Sequence, residues 1–209
     1  MDIQKAYSDH VKDRLIDLMK KTGREEHISE FLQTIKLQQD IVKESDRSVA
    51  LIGAAYLETL LEKLITAKLV GDQKKIRDVF EFNGALGTFS AKIDFAYLLG
   101  LICKIELDNL HLIRKIRNKF AHEFERISFD DNDLRSMCGQ LYMKQKLAVD
   151  IPANRFRRTL AYLFSALQNN RFKVTAIKSA SNEEFEKFVQ KTSAASDAET
   201  DRLFGSLEK

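Results

Sequence analysis

One proline and eight glycines in 209 residues leave little turn chemistry for a protein built from sheets. Hairpins and sandwich corners use both residues often, so their scarcity predicts long helices and an all-α fold. Tryptophan is absent, and the two cysteines, Cys103 and Cys138, are too few and too isolated for a disulfide framework or a zinc knuckle. Cys103 sits in the apolar run FAYLLGLICKI and reads as a small buried hydrophobe. Long hydrophobic runs are missing too. The longest, Phe95 to Cys103, is bracketed by Asp94 and Lys104 and falls far short of a membrane span. The first residues, MDIQKAYSDH, have no apolar signal core, so the chain is expected in the cytoplasm, away from membranes. A net charge of +3 does not by itself imply nucleic acid.

What is present is helical periodicity. Ile3, Tyr7, Val11, Leu15 and Leu18 form one stripe, and Gly23 offers a stop. A second stripe runs through Ile28, Phe31, Leu32, Ile35, Ile41 and Val42. The third helix is expected from about Ser48 to Val70, with Ala50, Ala54, Leu57, Leu61, Leu64 and Ile65 inward and with Gly53, Ala54 and Ala55 small enough for another backbone to approach. A short helix follows through Ile76 and Phe80. Gly84 and Gly87 make a compact loop, after which Thr88 or Ser90 can cap the next helix. Phe80, Phe82, Phe89 and Phe95 are core candidates. The helix containing RNKFAH carries Leu110, Ile113, Ile116, Phe120 and Phe124 on its buried stripe. Asp130 or Asn132 can cap a helix through Leu134 and Tyr142, and Pro152 starts another with Phe156, Leu160, Leu163, Phe164 and Leu167 inward. Residues 1–178 thus read as one helical domain. Residues 179–209 read as a polar extension with one exposed helix, NEEFEKFVQK, and a mobile tail.

Three stretches stand together: YLETLLEKLI, then NGALGTFSAKIDFAYLLGLI, then LHLIRKIRNKFAHEF. In this order and spacing they resemble the mannitol-repressor (MtlR-like) family over roughly residues 45–142. That family is similar to the HEPN superfamily, whose hallmark is Arg, a polar residue, three further positions and then His. Arg117-Asn118-Lys119-Phe120-Ala121-His122 fits the hallmark without a gap. The resemblance implies a HEPN-like, mannitol-repressor-like helical bundle and two different functions. One is a metal-independent endoribonuclease of toxin, antiphage-defence or RNA-processing type. The other is a non-catalytic transcriptional regulator acting through protein–protein contacts. No short Gly-centred turn joins a basic recognition helix to its partner, so direct operator reading is not the expected route.

The ribonuclease reading gives the motif defined roles. Histidine suits proton transfer because its equilibrium lies near neutrality, so His122 is the candidate general base or acid. Arginine suits a developing phosphate charge through its fork of donors, which assigns Arg117. Asn118 lies four residues before His122 on the same helix face and can position the ring or the phosphate. Glu58 is the candidate partner that aims Arg117. An ideal helix, however, sets Arg117 about 140° around the axis from His122 and roughly 7.5 Å along it. One straight helix does not focus both on a single phosphate, which favours a homodimer with motif helices facing each other. The competing reading makes Arg117 and Glu58 a strut between helices. No cofactor is expected, and the partners are RNA or a protein (an antitoxin or a regulatory protein). His111 and His122 lie about 16 Å apart along the axis and cannot share one metal. His10 and His27 have no ligand spacing and read as surface residues.

Overall fold

The structure is a computed structural model, and it describes residues 12–14, 16–17, 19–41, 43–142 and 151–192. The stripe through Ile3, Tyr7 and Val11, together with His10 and the tail after Thr192, lies outside the described residues. All the regular structure among the described residues is helical. A 3₁₀ turn at Glu25–His27 leads into α1 (Ile28–Ile41). There follow α2 (Asp46–Lys68), α3 (Gln73–Phe80), α4 (Phe89–Leu98), α5 (Lys104–His122), α6 (Asn132–Gln140) and α7 (Pro152–Arg171). Residues 182–192 are helical again.

The central element is α2, which packs against α7, α5, α4 and α1. It buries Val49, Ala50, Ala54, Leu57, Leu61, Leu64 and Ile65, the inward positions that helical spacing dictates. The Ser45 hydroxyl caps its start, accepting from the Ser48 amide at 3.2 Å. Gly53 is required by packing: a Cβ there would meet Leu160 Cδ1 at 2.4 Å, so α7 closes on α2 at this point. The helix ends at Lys68, two residues before the expected Val70, which is exposed.

The glycine loop behaves as a packing turn. Added Cβ atoms at Gly84 and Gly87 would lie 2.4 Å from the carbonyl oxygens of Asp78, Val79 and Glu81. Thr88 then caps α4, accepting from the Ala91 amide at 3.1 Å. The buried face of α5 consists of Leu110, Ile113, Ile116 and Phe120, with Glu106 and Asn109 at its start. Phe120 meets Phe129 edge-on at 5.0 Å, and Phe129 tilts onto Phe156 of α7 at 4.7 Å. Asn109 grips the Tyr142 backbone from both sides, accepting at 2.8 Å and donating at 3.3 Å.

Other expectations along the helices need correction, among them the cap of α6, which falls at Asp131 rather than at Asp130 or Asn132. Phe124 is fully exposed rather than core, because α5 stops at His122 and the chain leaves in an extended conformation at Glu123. Cys103 is exposed, since it is the residue that enters α5, where its amide donates to Glu106 Oε2 at 2.7 Å. Phe82 lies in the turn after α3 and is 88% exposed, unlike buried Phe89. Tyr142 lies past α6, which ends at Gln140.

Candidate functional site

Each residue of Arg117–His122 on α5 has a separate environment. Phe120 is fully buried in the core. Lys119 pairs with Asp133 at the start of α6, and the hydrogen bond and positive charge of Lys119 hold that carboxyl below the usual aspartate range. Arg117 is half-buried, with its guanidinium carbon 6.0 Å from the centre of the Phe89 ring. Asn118 is half-buried as well, one helical turn before an exposed His122. Beyond His122, Arg47 from the start of α2 donates to the carbonyl oxygens of Glu123 at 2.7 Å and Glu125 at 2.8 Å. Arg47 therefore satisfies carbonyls at the end of α5, where no further helix turn can do so. A cleft of about 570 Å³ opens beside this contact, lined by Ser45, Asp46, Arg47 and residues Phe124–Ser128.

The expected Glu58–Arg117 pair is not formed. Glu58 Oε1 accepts from Lys92 Nζ at 3.0 Å, and Glu62 Oε2 accepts from the same nitrogen at 3.1 Å. Lys92 is 5% exposed and also lies 5.8 Å from the Phe80 ring centre. The physical reason is placement. Lys92 comes from α4, which packs on α2, and an ammonium buried there needs acceptors. Two carboxylates one turn apart on α2 provide them, and Arg117 takes an aromatic face instead. Glu58 is thus an ion-pair partner, but of a cation that sequence reasoning passed over inside the apolar context FSAKIDFAYL.

The site brings Asn118 and His122 onto one helix face and leaves Glu58 with Lys92. His111 is engaged elsewhere, with Nε2 2.9 Å from Asp94 Oδ1. His27 is not a free surface residue, since its ring stacks on Phe172 at 4.3 Å. Among the described residues, no three His, Cys, Asp or Glu side chains come together as a metal site. No described helix is long and apolar enough to cross a membrane.

No protein-family model matches the chain, and no curated protein matches it. Among solved structures, the chain is similar to one described as the X-ray structure of the MtlR-HPr complex from Escherichia coli. The TM-score is 0.47 and the identity 16%, with 67% of this chain and 96% of that chain covered.

Proposed function

We propose that this chain is a non-catalytic regulatory domain that works in the cytoplasm through protein–protein contacts, as the mannitol-repressor resemblance implies. The observation that carries the reading is the fate of the motif's partners. Glu58 and Glu62 serve Lys92, and Arg117 rests on Phe89. The ribonuclease reading needs Arg117, aimed by Glu58, to stabilise developing charge beside His122, and Glu58 is held by Lys92 instead. The motif instead supplies packing through Phe120 and a strut through Lys119. Fully exposed Phe124, beside the cleft at the end of α5, offers an apolar anchor of the kind that protein interfaces use.

The test is a deletion strain with a reporter on a sugar-alcohol uptake operon. Deletion should change the reporter, and both wild type and His122→Ala should restore it. Phe124→Ser should fail to restore it while retaining the wild-type melting temperature. Restoration by Phe124→Ser, or failure by folded His122→Ala, contradicts the reading.

A second reading, metal-independent RNA cleavage at a homodimer, is favoured by one observation. Asn118 and His122 share a helix face next to an open surface, where a second copy would supply the missing Arg117. It predicts EDTA-resistant cleavage of RNA, but not of DNA, to products ending in 2′,3′-cyclic phosphate. His122→Ala would then lower cleavage by a factor of about 10²–10⁴.

A further inference from the structure

Helix α1 is attached to the core by Ile41, with Leu37 packed beside it, and by a cluster of polar contacts nearer its start. Only Thr34 and Ile41 of α1 are buried. Glu30 holds it to two other helices, accepting from Lys63 of α2 at 2.6 Å and pairing with Arg171 of α7. Thr34 is the second tie. Its hydroxyl donates to the Glu30 carbonyl at 3.0 Å, and it accepts from the Tyr56 hydroxyl at 2.6 Å and from the Gln168 amide. These contacts fix the direction of α1: its start lies near Lys63 and it runs toward the start of α2. Beneath it lies an apolar floor, where Tyr56 meets Phe164 edge-on at 4.9 Å.

The same molecule carries an amphipathic helix with an uncovered apolar stripe. Over residues 182–192, Phe185 is 68%, Phe188 64% and Val189 44% exposed. A helix this short is marginal in water and gains its stability from packing. Its tether is placed at the Lys63 end of the groove. The Ile177 amide donates to the Lys68 carbonyl at 2.9 Å, and Lys68 Nζ donates to the Thr175 carbonyl at 3.2 Å. Lys63 lies only about 7.5 Å back along α2, and residues 178–181 span up to roughly 14 Å when extended. A helix entering from there runs in the same direction as α1. The two segments share one pair of positions: Glu30-Phe31 in α1 aligns with Glu184-Phe185, while polar Thr34 aligns with apolar Phe188.

We propose that helix 182–192 is an internal competitor for α1, seating in the α2/α7 groove with Glu184 between Lys63 and Arg171 when α1 lifts. The groove then has two occupants drawn from the same chain, one held by a polar latch and one by phenylalanines. Release of α1 exchanges one helix for the other instead of baring the core. The amino-terminal and carboxy-terminal parts of the chain are thereby linked: whatever binds α1 frees the groove for helix 182–192.

Hydrogen exchange on the full chain, read segment by segment, tests this. The double variant Glu30→Gln/Thr34→Val loosens the latch. It should speed α1 exchange by about tenfold or more, slow exchange over 182–192 by at least about threefold, and leave α5 unchanged. Adding Phe185→Ser and Phe188→Ser should abolish the slowing. Unchanged exchange over 182–192 in the latch variant overturns the proposal, as does acceleration of α5 together with α1. Slowing that grows with protein concentration also overturns it, because the groove would then take the helix of a second copy.

Discussion

Among the described residues, two three-membered ion clusters join helices, and their charges are inverted. At one, a single buried cation, Lys92, is held by two acids, Glu58 and Glu62. At the other, a single acid, Glu30, is held by two cations, Lys63 and Arg171. The first lies between helices that also share a large apolar interface, with Leu57, Leu61 and Leu64 of α2 and Ile93 and Ala96 of α4 all buried. The second fastens a helix that buries only Thr34 and Ile41. The difference shows what each cluster contributes. Lys92 sets the register of elements that hydrophobic burial already holds together, whereas Glu30 ties down the start of a helix whose buried residues, Thr34 and Ile41, lie further along it.

The largest effect should come from Lys92→Met, which leaves two carboxylates facing each other without their cation. Removing one partner of a fully buried pair costs about 3–5 kcal/mol, and the partial exposure of both acids reduces this to roughly 2 kcal/mol. Chemical denaturation should show that loss, and adding Glu58→Gln should recover part of it. A Lys92→Met protein as stable as wild type would remove the cluster from the account.

Next in size is Glu30→Gln, with an expected loss of about 1 kcal/mol that falls on α1 rather than on the whole domain. The same residue sets an acid limit. Burial pushes the Glu30 carboxyl up, but the hydrogen bonds and charges of Lys63 and Arg171 outweigh it, leaving it below its ordinary value of 4.5. A carboxyl lowered on folding adds stability that is complete above its unfolded value and is lost as pH falls through the folded one. Exchange of α1 amides should therefore accelerate below about pH 4.5, once the intrinsic pH dependence is removed, and Glu30→Gln should flatten that acceleration. A pH-independent α1 in the wild type would contradict the assignment.

Smaller effects separate Glu58's actual partner from the expected one. A double-mutant cycle between Glu58 and Lys92 should give a coupling of about 1 kcal/mol, and one between Glu58 and Arg117 close to zero. Arg117→Ala alone should cost about 0.5–1 kcal/mol, the worth of a cation over an aromatic face. The reverse ordering of the two couplings would restore the strut that the sequence suggested.

These assignments also show which parts were legible in sequence. Inward positions of α2 and α7 follow from spacing alone, because a helix buries one stripe whatever its neighbours are. The caps at Thr88 and the start of α7 at Pro152 are local chemistry and were readable for the same reason. Phe124 falls outside the buried stripe because α5 stops at His122, and the carbonyl just past that end is taken by Arg47, 76 residues away in sequence. Lys92 is not legible as buried from its sequence, because a lysine in an apolar run ordinarily snorkels to water. Only the packing of α4 on α2 tells that this one is enclosed. Glu58 is legible as an ion-pair partner but its cation is not, since Lys92 and Arg117 lie on helices whose positions are not written in local sequence.

On the proposed regulatory function, the RNKFAH segment holds α5 in place through Phe120 and Lys119 and has no catalytic role. Purified chain and its His122→Ala variant, incubated with a mixed-sequence RNA in EDTA and followed by product analysis, test it most directly. Exposed His122 should be replaceable with a stability change within about 0.5 kcal/mol, and neither protein should cleave the RNA. Cleavage by the wild type to 2′,3′-cyclic phosphate ends, lost in an equally stable His122→Ala protein, would contradict it.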